Sequence, residues 1–174
     1  AIQLAKCAGA RVLVTAGSDD RCRGCLDLGA DAAFNYRQED FSAATLDATD
    51  GHGVEVILDC IGGAYLDRHL DVMAPNGRLV VIGLQGGAQA EIDLSRLMRK
   101  RLSITGSTLR ARPVEEKGRI IEAFVRRFGP GLITGAVRPV IDRILPLEKV
   151  AEAHRLLAAG EIFGKLVLEM PTVD

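Results

Sequence analysis

Tryptophan is absent from this 174-residue chain, and aromatic residues make up only 4% of it. Net charge is nearly absent too, since 22 Lys and Arg against 23 Asp and Glu leave a formal −1. Long apolar runs are also missing. The longest stretch free of Asp, Glu, Lys and Arg runs from Leu79 to Ala90, well short of the roughly 20 residues a membrane-spanning helix needs, which excludes such a helix. The charge that is present is uneven, because residues 96–127 carry ten basic and three acidic side chains. That segment has Phe124, with Phe128 just beyond it, as its only aromatics and has no nucleic-acid-binding motif. It reads as a solvated helix face or an edge near an anionic cofactor, and nucleic acid is not an expected partner.

Metal-binding patterns are equally scarce. Cys22-Arg23-Gly24-Cys25 has the spacing of half a zinc site, but the other cysteines, Cys7 and Cys60, fall within an apparent helix and an apparent strand. His52, His69 and His154 are too scattered for a local metal motif. The expectation is four free thiols in a reducing cytoplasm and no metal. Ala1 has no Met before it, and the helix it opens has no capping residue in front. The sequence therefore reads as a piece of a longer protein.

What is plentiful is glycine, 19 residues of 174, against a usual share of about 7%. The glycines punctuate an alternation of short apolar strands with helices. Strands are expected at 11–16, 32–36, 54–60, 78–83 and 102–107, with helices at 1–8, 19–28, 39–48 and 65–73 and a short basic one before the last strand. A turn is expected at Pro75-Asn76-Gly77. Farther on, a helix at 114–128 ends at Gly129-Pro130-Gly131, followed by a strand near 137–141, a helix at 147–159 and a strand at 165–169. This pattern gives the α/β class, with a doubly wound parallel sheet of Rossmann type. Residues 1–130 form the nucleotide-binding unit, and residues 131–174 are terminal segments returning toward another domain.

Ligands of such sheets bind at the carboxyl ends of the strands. Gly17-Ser18, Tyr36, Cys60-Ile61-Gly62-Gly63 and Gly83-Leu84-Gln85-Gly86-Gly87 occupy that rim, and their glycines would let a ligand approach the backbone closely. The glycine-rich phosphate loop G-x-G-x-x-G, expected just before the first helix, is not in the sequence. This fits a doubly wound fold lacking its first strand. Where a fold selective for NADH places an acid for the ribose hydroxyls, the chain has Ala16-Gly17-Ser18, and Asp19 falls late, in a helix-start position. A small uncharged pocket with Arg21 one turn on suits a 2′-phosphate, which favours NADPH.

The chain resembles the zinc-independent quinone oxidoreductases of the medium-chain dehydrogenase/reductase superfamily, in particular the p53-inducible branch. The resemblance rests on Ala1-Ile2-Gln3-Leu4-Ala5-Lys6, Thr15-Ala16-Gly17-Ser18, Leu28-Gly29-Ala30, Phe34-Asn35-Tyr36 through Asp40-Phe41, Leu58-Asp59-Cys60-Ile61-Gly62-Gly63, Asn76-Gly77-Arg78, Gly83-Leu84, Asp142-Arg143-Ile144 and Gly164-Lys165-Leu166-Val167-Leu168. It implies a cofactor-binding domain in which Gly17, Ser18, Arg21 and Tyr36 hold the adenosine 2′-phosphate end. Cys60, Ile61 and Gly62 would line the ribose and pyrophosphate, with Gly83, Leu84 and Gln85 beside the nicotinamide. It further implies NADPH-dependent reduction of a small quinone by hydride transfer, without metal, by a homodimer paired through the edge strand Leu102 to Ser107. Arg110 and Arg112 would border the substrate cleft or lie in a solvated loop. No catalytic residue can be named in this stretch.

Three other functions remain open on the sequence: an enoyl reductase of the same superfamily, a non-catalytic nucleotide-binding or structural protein on this fold, and an S-adenosylmethionine-dependent methyltransferase. The last would want an acid at the rim of the second strand, where Gly17 stands.

Overall fold

The computed structural model describes residues 1–171. Seven helices, α1 (Ile2–Cys7), α2 (Asp19–Asp27), α3 (Phe41–Ala48), α4 (Leu66–Val72), α5 (Leu94–Lys100), α6 (Val114–Ile133) and α7 (Val150–Ala158), alternate with seven strands. The strands are β1 (Leu13–Ala16), β2 (Ala32–Asn35), β3 (Val54–Asp59), β4 (Met73–Val81), β5 (Ser103–Gly106), β6 (Ile141–Pro146) and β7 (Lys165–Glu169). Every strand pairing among the described residues is parallel: β1 with β2, β3-β4-β5 in that order, and β6 with β7. The expected α/β class with parallel strands and helical crossovers is what the molecule has. β1 and β3 each pair on one side only, so the strands form three separate sheets among the described residues where the sequence suggested one.

Local chemistry sets the helix starts. Ser18 caps α2, its hydroxyl accepting from the Arg21 N–H, and Asp40 and Asp93 cap α3 and α5 through the amides of Ser42 and Ser95. The apolar centre is Leu70, Met73, Leu79 and Leu102, wrapped by Ile57, Leu66, Val81, Ile92 and Leu97. Lys100 closes the carboxyl end of α4 over this cluster, its Nζ donating to the carbonyls of Leu70, Asp71 and Met73 at 2.7–2.9 Å. Arg96 ties α5 to α4 through Asp67 and Asp71.

Three expected elements differ by four residues or more at a boundary. The Pro75-Asn76-Gly77 turn lies inside β4 as an irregularity: Val54 pairs with Met73 but Val56 with Arg78, so the β4 side carries three extra residues, with Asn76 at φ 63°. α6 does not stop at Gly129 but runs through Pro130 to Ile133. A proline costs the helix one backbone bond, and the added turn is closed by Thr134, whose N–H and hydroxyl both donate to the Pro130 carbonyl at 3.1 Å. The strand expected near 137–141 begins only at Ile141, because Pro139 has no N–H to give a ladder.

The terminal segment folds back on the first helices. The Arg138 N–H donates to Gln3 Oε1 at 2.7 Å, and the ring of Phe163 lies against Gly24 of α2.

Candidate functional site

Parallel pairing brings the strand ends together in pairs. Ala16 is in register with Asn35, and the Tyr36 N–H donates to the Ala16 carbonyl at 3.1 Å. Gly17 and Tyr36 therefore leave the ladder side by side. A Cβ placed on Gly17 would lie 2.6 Å from the Tyr36 hydroxyl, so the phenol lies across the end of β1 and a side chain at position 17 would have to displace it.

On the second ladder Asp59 is in register with Val81, and the loops that follow, 60–64 and 82–87, are bonded to each other. Gln85 N–H donates to the Cys60 carbonyl, Gly86 N–H to Ile61, Gly63 N–H to Gly87 and Ala64 N–H to Gly86, at 2.7–3.2 Å. The structure thus joins Cys60, Ile61 and Gly62 to Gly83, Leu84 and Gln85. The packing is close enough that a Cβ on Gly62 (φ 81°) would stand 2.7 Å from the Gly87 carbonyl oxygen, and one on Gly83 2.9 Å from that of Cys60. These glycines serve the approach of one loop to the other.

Asp59 holds this double loop. It is 3% exposed, and its two carboxylate oxygens accept from the amides of Ile61 (2.7 Å) and Gly62 (2.8 Å). His69, buried on α4, brings Nε2 to 3.3 Å from the same carboxylate, within reach but without the alignment of a hydrogen bond. Burial pushes the His69 imidazole below its ordinary range, and the nearby Asp59 only partly offsets this. Neither Asp59 nor His69 is among the expected site residues. The legible signal was an Asp closing a strand directly before Cys-Ile-Gly-Gly, where a carboxylate can bond the amides two and three residues on.

Because a buried neutral imidazole must charge as pH falls, the sign of its effect is fixed. Above its ordinary value of about 6.5 the ring is neutral folded and unfolded and contributes nothing; below that value the unfolded chain takes up the proton more readily, so the native state loses stability. Urea midpoints should fall between about pH 6.5 and pH 5, and His69→Gln should flatten that slope relative to the parent. An unchanged slope in the variant would assign the acid sensitivity elsewhere.

An aromatic bridge connects the two rims. The ring of Tyr65, just after the double loop, meets Tyr36 edge-on at 6.2 Å between centroids and Phe41 at 4.9 Å, with the Arg68 guanidinium 4.4 Å from the Tyr65 centroid. Ser18 stands at the helix start as expected. Arg21, expected at a phosphate, turns its Nη2 the other way, to the carbonyls of Gly160 and Ile162. Arg112 is engaged by Glu116, the Ser107 hydroxyl and the Thr108 carbonyl.

The rim of adjacent parallel strand ends, glycine-lined and bridged by Tyr36 and Tyr65, is that of a Rossmann-like α/β fold. Residues 1–125 match the model of the zinc-binding dehydrogenase family, and the chain belongs to that family. Over 169 residues it is 31% identical to human quinone oxidoreductase, covering 97% of this chain and 50% of that protein. A quinone oxidoreductase of Escherichia coli, solved with NADPH, superposes with a TM-score of 0.80 at 28% identity, over 96% of this chain and 52% of its own. An NAD-dependent alcohol dehydrogenase superposes with a TM-score of 0.82 at 34% identity, over 98% and 47%. The chain spans about half the length of the curated relatives it matches.

The family's description names zinc. Among the described residues no three His, Cys, Asp or Glu side chains converge as a metal would require, and the four cysteines are unpaired. This donor set does not fit the metal. No described helix is long and apolar enough to cross a membrane.

Proposed function

We infer that this chain supplies the cofactor-binding part of an NADPH-dependent quinone reductase. The observation that carries this reading is the continuous rim from Gly17 and Tyr36, across Tyr65, to the joined loops of Cys60–Gly63 and Gly83–Gln85. It follows the crevice in which doubly wound sheets hold extended nucleotides. NADPH, when bound, supplies the hydride that reduces the quinone. The chain's own residues bind and orient: Gly17, Ser18 and Tyr36 take the adenosine end, Cys60, Ile61 and Gly62 the ribose and pyrophosphate, and Gly83, Leu84 and Gln85 flank the nicotinamide. Asp59 keeps the middle of that surface rigid by fixing two of its amides. On this reading residues 131–171 return from the nucleotide-binding unit toward the rest of the protein, and residues 172–174 of that segment lie outside the described residues. Among the described residues β5 pairs with β4 alone and its four residues are exposed, which supports a dimer formed through Leu102 to Ser107.

Steady-state oxidation of NADPH and NADH by the full-length protein, with a quinone and with an enoyl thioester as acceptors, tests this reading. Turnover of NADPH with the quinone is expected. Turnover of the thioester alone would make the protein an enoyl reductase, and no turnover with either acceptor would leave a nucleotide-binding protein without this chemistry.

A further inference from the structure

The turn after β2 is fixed more firmly than a surface turn requires. Asn35, 6% exposed, accepts the Arg37 N–H on Oδ1 at 3.2 Å and donates from Nδ2 to Asp19 Oδ1 at 2.6 Å, while its own N–H goes to Glu39 Oε1 at 3.0 Å. The Gln38 N–H adds a bond to the Asn35 carbonyl at 2.9 Å. These bonds set the directions of the two side chains that follow Asn35. Both come over the end of β1: a Cβ on Gly17 would lie 2.6 Å from the Tyr36 hydroxyl and 3.5 Å from Arg37 Nε.

Arg37 is exposed, and its guanidinium donates no hydrogen bond among the described residues. Arg21 is in the opposite situation, since its Nη2 bonds the carbonyls of Gly160 and Ile162 while Phe163 packs against Gly24 three residues on. The carboxylates near this corner are already engaged. Asp19 is held by Asn35 and Gln38, Asp20 pairs with Arg23, and Glu39 accepts from Asn35.

We propose that Arg37 reads the 2′-phosphate of NADPH, with the Tyr36 hydroxyl beside it and Ser18 below, and that Arg21 instead fastens the terminal segment 160–163 to α2. This rests on the NADPH reading given above. The phosphomonoester is a dianion with three acceptor oxygens, and a guanidinium offers it paired N–H donors in a fixed fork. A cation already bonded to two carbonyls would have to give them up first. Arg37 carries no such cost.

The test measures dissociation constants of NADPH and NADH by calorimetry, with thermal unfolding, on the full-length protein and its Arg37→Gln and Arg21→Gln variants. Arg37→Gln should weaken NADPH about tenfold or more and leave NADH within about twofold, at an unchanged melting temperature. Arg21→Gln should lower the melting temperature and keep the ratio of the two affinities. A ratio that survives Arg37→Gln, or collapses in Arg21→Gln, overturns the assignment while leaving the preference for NADPH intact. A parent protein that binds NADH as tightly as NADPH overturns the preference itself, and this assignment with it.

Discussion

Leu79→Ala should lower the free energy of unfolding by about 2–5 kcal/mol, read from urea or guanidinium titration of the full-length protein. Leu79 is fully buried on β4, the middle strand of its sheet, in register with Ile57 on one side and Ile104 on the other, and it packs on Leu70, Met73 and Leu102. Strands on both flanks and α4 above limit how far the cavity can collapse, so both the transfer loss and the cavity penalty apply. A loss under about 1 kcal/mol would show that the wall relaxes into the space. Leu79→Met, which conserves volume, should cost less than about 1.5 kcal/mol.

Asp59→Ala should be comparably damaging, by about 2–4 kcal/mol, for a different reason. Its loss leaves the Ile61 and Gly62 amides without their acceptors beneath the double loop, and an unsatisfied buried donor costs about 1–3 kcal/mol. Asp59→Asn keeps one oxygen and should recover part of the loss. On the proposed function, Asp59→Ala should weaken NADPH and NADH to the same degree, because the loop lies away from the 2′-phosphate corner. A selective effect on NADPH would contradict that placement, and an unchanged melting temperature would show that solvent replaces the carboxylate.

Much of this was legible from residue pattern because parallel βαβ units leave local marks. Apolar runs such as Val54–Cys60 and Arg78–Gly83, each ending in glycines, located the strands and hence the rim. Ser18 and Asp40 announced their helices by capping chemistry. What was not legible depended on neighbours distant in sequence. Nothing near Pro130 reveals that Thr134 sustains the helix past it, and nothing near Arg21 reveals carbonyls about 140 residues away. Spacing alone presents the rim glycines as room for a ligand, yet those at 62 and 83 make room for a facing loop, a distinction that sequence spacing cannot express. Asp59 and His69 lay hidden because a buried acid beside a buried imidazole has no signature until a strand and a helix meet.

The double loop also has a kinetic consequence. Four backbone bonds cross between 60–64 and 82–87, and few of them can break singly while the two chains stay apposed. The two segments should therefore exchange their amide protons together, which native-state hydrogen exchange would read.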